Sequence, residues 1–387
     1  MGSSRIFADH AAGAPVRPEV ADLLADLYRS GIGNPSGGHA EARRARAVLD
    51  EARATIASSL EVESRQVTFT ASASEALALA VTSELSEQGC LATTATEHRG
   101  ARALALRHEV AGGAVDLVPV DETGGWRLDA FTPRRDSVAL LTIVSGELGT
   151  EQDVSAFSAL WQSAEGGAII LDGVQAATSG SLRFQQTGAT HLVIGSAKLE
   201  GPVGIAALIS APDRRLRPLV PGGGQERGRR GGTESAPLAA AFALALKLTT
   251  REREATHQHL RALSNAFEAE IGSPERHGLR HTGSTERTKR LPGHHSFAAG
   301  WALGDDLVAA LDHAGLATST GSACISGSRE PSEALLACGF SADESRGGLR
   351  VSFGRTNTVD EARRAANIIA ATCARIRQAD RESTPVR

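Results

Sequence analysis

GSAKLEGPVG, residues 195–204, follows the apolar run HLVIG (191–195) and carries one of only three lysines in a chain of 387 residues. The others, Lys247 and Lys289, lie far away, and the rest of the 41 basic residues are arginines. The two cations are not interchangeable. A guanidinium keeps its proton, whereas an ammonium among apolar or small neighbours can lose it and become a nucleophile or Schiff-base former. An amine placed directly after an apolar strand stands where open α/β sheets bind their ligands, at the carboxyl ends of the strands.

Working outward from Lys198, short apolar runs alternate with longer helical patterns, which predicts an α/β fold with a mostly parallel sheet of seven strands. The candidates are VTFT (67–70), LATTA (91–95), VDLVPV (115–120), VALLTIV (138–144), AIILD (168–172), HLVIG (191–195) and GIAALI (204–209). ASEALALAVTSEL (73–85) and ARALALRHEV (101–110) have helical periodicity. Residues 236–271, rich in alanine and leucine and charged after Thr250, read as one helix long enough to bridge two domains. Beyond it, HHSFAAG (294–300), LGDDLVAALDHAG (303–315), GGLRVSFG (347–354) and residues 358–379 describe a smaller α+β domain. The expected division is a large domain over 16–255 and a small one built from 1–15 and 256–387.

Composition narrows the function. A net charge of −4 offers no basic surface for a nucleic-acid backbone, so a small molecule or another protein is the expected partner. Cys90, Cys324, Cys338 and Cys373 are dispersed and without CxxC spacing, as in reduced intracellular proteins. No apolar run is long enough to span a bilayer and the first residues lack a signal-peptide pattern, so a cytoplasmic protein is predicted. PGGGQERGRRGGTE (221–234) matches neither GxxxxGK[ST] nor a strand-borne GxGxxG, and reads as a loop whose backbone can approach an anion. His294 and His295 are adjacent and lack partners at ligand spacing, so no metal site is expected.

The residues that follow the strands carry chemistry. Ser72 and Ser74 stand at the start of a helix after VTFT, where they can cap it while its N–H groups hold a phosphate. His98 follows LATTA, and Asp172 and Gln175 follow AIIL. A carboxylate at the end of an apolar strand either caps the next turn or faces a cation, of which a protonated pyridine nitrogen is one. Cys324 lies in the small, polar stretch TSTGSACISGSREPSE (318–333), the setting of a reactive thiol, whereas the other three cysteines sit near apolar patterns that suit a core. Arg350, on a strand of the smaller domain, is placed to grip a carboxylate with both arms of its fork.

In order, ADHAAGAP (8–15), GNPSG (33–37), FTASASEA (69–76), TEHRG (96–100), LDGVQ (171–175), SAKLEGPVG (196–204), GGGQERGRRGGT (222–233), TGSACISGSREPS (320–332) and LRVSFGR (349–355) resemble the cysteine desulfurases of the class V aminotransferase family. These are fold-type I enzymes dependent on pyridoxal 5'-phosphate (PLP), and the likeness runs over nearly the whole chain. It implies that Lys198 forms the Schiff base, Asp172 pairs with the pyridine nitrogen, Gln175 contacts the ring 3-oxygen and His98 stacks on the ring and moves protons. It implies further that Ser74 holds the phosphate, with Ser72 and Ser196 beside it and Thr233 reaching over from the second subunit of a homodimer. Arg350 would bind the carboxylate of L-cysteine, and Cys324 would take the sulfur as a persulfide. The cysteine stretch resembles the long-loop subgroup, which passes sulfur to a scaffold or acceptor protein.

The chain departs from the family at three positions near the cofactor. Ala197 stands where a histidine usually precedes the lysine, Gly195 where a phosphate-binding serine is usual, and Gly146 where an asparagine lies near the ring oxygen. Two alternatives therefore accompany the desulfurase expectation: another PLP lyase or aminotransferase, for example one acting on selenocysteine, and a weakened sulfur-carrier protein.

Overall fold

The computed structural model describes residues 5–321 and 330–383, with side chains to residue 379. A short strand, β1 (Ile6–Phe7), precedes α1 (Pro18–Arg29), whose Pro18 sits in the first turn, where a missing N–H costs nothing. Helix α2 (Ala40–Leu60) leads into the alternating region: β2 (Val67–Thr70), α3 (Ala73–Glu84), β3 (Cys90–Thr93), α4 (Arg99–Val110), β4 (Ala114–Leu117), β5 (Val138–Thr142), α5 (Val154–Ser163), β6 (Ile169–Asp172), β7 (His191–Gly195) and β8 (Ala206–Ser210). These strands form one seven-stranded sheet in the order β2-β8-β7-β6-β5-β3-β4.

All neighbours in this sheet are parallel except β8, which runs antiparallel to both β7 and β2. The reason lies in the stretch around Lys198. A parallel crossover needs a dozen or more residues, and the connection between β7 and β8 has too few, so the chain must turn back beside itself. Gly204, at φ 88°, makes the return possible. The edge strand β4 ends at Leu117, earlier than the apolar pattern suggests, two residues before Pro119, which has no N–H to donate.

Both faces of the sheet are covered, as a parallel arrangement requires. Leu141, Leu171, Leu192 and Ile194 pack with Phe157, Trp161 and Phe242 on one side. Leu91, Leu140, Ile170, Val193 and Leu208 meet α3 on the other. Helix α6 (Ala236–Ile271) has the bounds the sequence pattern predicts. Phe242 and Leu246 in its first half belong to the core under the large sheet, and Leu263, Phe267 and Ile271 to a second core.

The elements that follow are β9 (Arg280–Thr282), β10 (His294–Ala298), α7 (Gly304–His313), β11 (Leu316–Ala317), α8 (Glu333–Ala337), α9 (Ala342–Arg346), β12 (Gly348–Ser352) and α10 (Val359–Ser383), of which β10, α7, β11, β12 and α10 contribute to that second core. Its antiparallel sheet has the order β12-β10-β9, and β11 pairs in parallel with β1, which brings Ile6 and Ala8 into this core. Cys338 and Cys373 are buried as expected; Cys90 is half-buried, with its thiol 3.2 Å from Asp116 Oδ2.

The glycine-rich loop is anchored from beneath. Arg53, on α2, donates from Nη1 and Nη2 to the two oxygens of Glu226, each at 2.7 Å, and the Phe69 N–H of β2 donates to the same carboxylate at 2.9 Å. Removing one partner of a buried ion pair strands the other charge in a dry site. Glu226→Gln is therefore expected to lower stability by about 3–5 kcal/mol, read from urea unfolding. An unchanged midpoint would show that the pair contributes nothing net.

Candidate active site

A cavity of about 510 Å³ opens at the carboxyl ends of the large-sheet strands, and the residues expected at the site converge on it from separate elements. Ser72, Ser74, His98, Asp172, Gln175, Ser196, Lys198 and Arg350 all line it. Thr233 does not; it is exposed, and lies outside the lining of its own chain's cavity. Cys324 lies outside the described residues, but Gly321, Glu330 and Ser332, on either side of that stretch, are at the rim.

Each side chain is placed by its local fold. Ser72 is the N-cap of α3 and accepts from the Glu75 N–H at 3.2 Å, while Ser74 falls inside the first helical turn. The helix therefore presents its N-terminal N–H groups, the positive end of its dipole, to the cavity beside two hydroxyls. His98 caps α4: its Nδ1 accepts from the Gly100 N–H at 3.1 Å. Gln175 is held by donating from Nε2 to the Ala11 carbonyl at 2.8 Å. Lys198 donates from Nζ to the Ala12 carbonyl. The hydroxyl of Ser196 is fully buried, has no hydrogen-bond partner among the described residues, and is packed so closely on Gly201 that a Cβ there would lie 2.2 Å away.

Asp172 ends β6, and its Oδ1 accepts from the Val174 N–H at 2.9 Å, so it does cap the following turn. Burial raises its pKa above the ordinary carboxylate value, with the Val174 hydrogen bond and the charges of His98 and Lys198 opposing the rise. A buried carboxyl on a cavity wall is the counterpart of a cationic ligand group, because only a cation repays its desolvation.

Arg350 is almost fully buried and already engaged. It donates from Nη2 to Asp9 Oδ1 at 2.8 Å and from Nη1 to the Gly146 carbonyl at 2.8 Å, with the Gly321 carbonyl at 3.3 Å. The Gly146 carbonyl also accepts from His294 Nε2 at 3.2 Å. Burial, reinforced by the charge of Arg350, lowers the His294 pKa to about 3, so this imidazole is neutral. A Cβ at Gly146 would meet Gln175 Nε2 at 3.5 Å, an ordinary contact, so the missing side chain there is not demanded by space.

Sequence reasoning passed over three acidic residues here. Asp9 and Glu147 lie in the motifs ADHAAGAP and VSGELG without having been singled out; Glu147 accepts from Ser332 Oγ at 2.6 Å, across the cysteine stretch from Gly321. Glu97, the residue before His98, is buried and accepts from the Thr142 N–H at 3.0 Å, from Thr94 Oγ1 at 3.1 Å and from the Thr142 hydroxyl. The signal for it was the pairing of a carboxylate with a histidine directly after a strand.

The donor set suits PLP: a helix N-terminus with hydroxyls for a phosphate, a buried carboxylate for a pyridinium, an amide and an imidazole for a ring, and one lysine. The cavity is also roomy enough for a drug-sized ligand.

Burial pushes the Glu97 carboxyl up to about 7, with the charge of Asp172 adding to the rise and the Thr142 and Thr94 donors opposing it. Because the folded value lies above the ordinary carboxyl value of 4.5, Glu97 supports the fold below that pH and withdraws its support as the pH climbs through 7. Relative to Glu97→Gln, the parent should therefore lose up to about 3 kcal/mol of stability between pH 4.5 and 8. Urea unfolding at stepped pH measures this. A difference that does not vary with pH would show a carboxyl titrating in its ordinary range.

The aminotransferase class-V family model matches residues 6–364. A cysteine desulfurase of Frankia sp. (strain EuIK1) is 32% identical over 98% of this chain and 94% of its own length. Among solved structures, a NifS-like protein superposes with a TM-score of 0.87 at 23% identity, covering 96% of this chain and 99% of that one. SspA in complex with cysteine superposes at 0.76 with 25% identity, covering 91% and 99%. With a family model spanning most of its length and a full-length cysteine desulfurase relative above 30% identity, the chain belongs to the class-V aminotransferase family, among its cysteine desulfurases.

Proposed function

We propose that this chain is a PLP-dependent L-cysteine desulfurase that leaves the sulfur on Cys324. The observation that carries the reading is the convergence of Lys198, Asp172, His98 and Arg350 on one cavity whose rim holds both flanks of the Cys324 stretch. The SspA complex adds that a protein of this fold binds cysteine.

PLP, when bound, supplies an electron sink for the α-carbon of an amino acid. The chain's own groups do the rest. Asp172 would hold a proton on the pyridine nitrogen, His98 and Gln175 would serve the ring and its 3-oxygen, and Ser72, Ser74 and Ser196 with the α3 N-terminus would hold the phosphate. Lys198 would hold the aldehyde end, and its Nζ would move the proton at the substrate Cα. Arg350 fixes the substrate carboxylate. The Cys324 thiolate attacks the substrate sulfur; the S–S bond forms as the C–S bond breaks, so L-cysteine and the enzyme thiol become alanine and an enzyme persulfide. From that persulfide the sulfur would pass to an acceptor protein.

The same reading makes the enzyme a homodimer, with Thr233 completing the phosphate site of the second subunit, and divides the chain at 16–255 and 256–387 with 1–15. The two separate cores support that division. No helix among the described residues is long and apolar enough to cross a membrane, and a cytoplasmic location fits the dispersed thiols.

Borohydride treatment of the yellow protein should fix PLP on the peptide containing Lys198, and Lys198→Ala should abolish alanine formation. Cys324→Ser should keep the cofactor spectrum and lose persulfide and sulfide. Labelling at Lys247 or Lys289, or undiminished sulfide from Cys324→Ser, would overturn these roles; release of product from selenocysteine or another amino acid in preference to cysteine would change the substrate. Arg350→Ala removes one partner of a buried charge pair and should cut kcat/KM by roughly 30- to 1,000-fold, about 2–4 kcal/mol. A loss of less than about threefold would reject Arg350 as the carboxylate anchor.

A further inference from the structure

Two residues beyond Lys198, Glu200 has φ 57°, a left-handed conformation that side chains other than glycine adopt only at a cost. Nothing in the backbone requires a glutamate there, since glycine would make the same turn more easily. What glutamate adds is a carboxylate, and that carboxylate is buried and held from two sides. Arg17 Nε lies 2.6 Å from Oε2, and Arg355 Nε donates to the same oxygen at 3.1 Å. Arg17 in turn donates from Nη1 to Glu252 Oε2 at 2.6 Å, which ties the group to α6.

The main chain repeats the pattern. The segment 12–17 runs alongside the lysine turn: the Ala12 carbonyl accepts from Lys198 Nζ, the Ala14 N–H donates to the Ala197 carbonyl at 3.0 Å, and the Arg17 N–H donates to the Glu200 carbonyl at 2.9 Å. Arg355 closes the circuit, because it follows β12, the strand that sends Arg350 into the main cavity. Behind the lysine, a smaller cavity of about 90 Å³ is bordered by Lys198, Arg17, Glu200 and Arg355, so the turn is not packed solid on that side.

We propose that Glu200 is a positioning residue for Lys198: clamped between Arg17 and Arg355, its carboxylate holds the left-handed turn that presents the amine and links that turn to the strand bearing Arg350. This rests on the reading of Lys198 as the cofactor-binding amine. A neutral residue at 200 leaves the half-exposed Arg355 without this partner and the buried Arg17 with Glu252 alone, and the turn relaxes.

The test uses the full-length holoenzyme with Glu200→Gln, Glu200→Gly and Glu200→Asp. Glycine keeps the turn without the charge, so it decides the matter if glutamine destabilises the fold. For both neutral variants the expected result is kcat reduced at least about tenfold with KM for L-cysteine within about threefold, and the visible circular dichroism of the bound cofactor reduced at least about twofold. Aspartate should recover part of both. Neutral variants with parental kcat and circular dichroism overturn the role of Glu200 while leaving the function intact. A parent that borohydride does not label at Lys198 overturns the function reading itself, and with it this one.

Discussion

A carboxylate buried at the end of a parallel strand is expensive, and the site is arranged around two of them. In-register pairing of Thr142 with Asp172 puts the ends of β5 and β6 side by side, so Glu97, seated on Thr142, and Asp172 share one dry edge of the sheet. Neither has a guanidinium of its own. Glu97 meets its burial with hydroxyl and N–H donors and with a pKa raised to about 7. Asp172 has one backbone donor and the charges of His98 and Lys198. The two differ accordingly: Glu97 is satisfied by the protein, and under the proposed function Asp172 would face a cation in the cavity.

Positive charge is distributed by the same logic. Arginines fill the structural pairs, where a fixed, planar fork suits a carboxylate: Arg53 with Glu226 under the glycine-rich loop, Arg17 with Glu200, Arg350 with Asp9. The amine at 198 is the exception, and under the proposed function its removable proton would have a use. Arg350 belongs to both groups, since its ties to Asp9 and the Gly146 carbonyl hold it ready at the cavity wall.

Two cores and one long helix set the frame. Because β1 pairs with β11 and α6 enters both cores, the N-terminal segment passes between them and crosses the site. The carbonyls of Ala11 and Ala12 therefore hold Gln175 and Lys198, although more than 160 residues separate the partners in the chain.

The sequence by itself determined the α/β class, the α6 bounds, the strand ends at Asp172 and at Gly195 before Lys198, and the family likeness. Each of these is local: periodicity, a cap, a residue type after an apolar run. Only the tertiary structure decided that β8 runs antiparallel, that Asp9 faces Arg350, that Glu97 sits on Thr142, and that Glu200 is clamped between Arg17 and Arg355. Those contacts join residues far apart in the chain, and a carboxylate's partner is set by burial and register, neither of which leaves a periodic trace along the sequence.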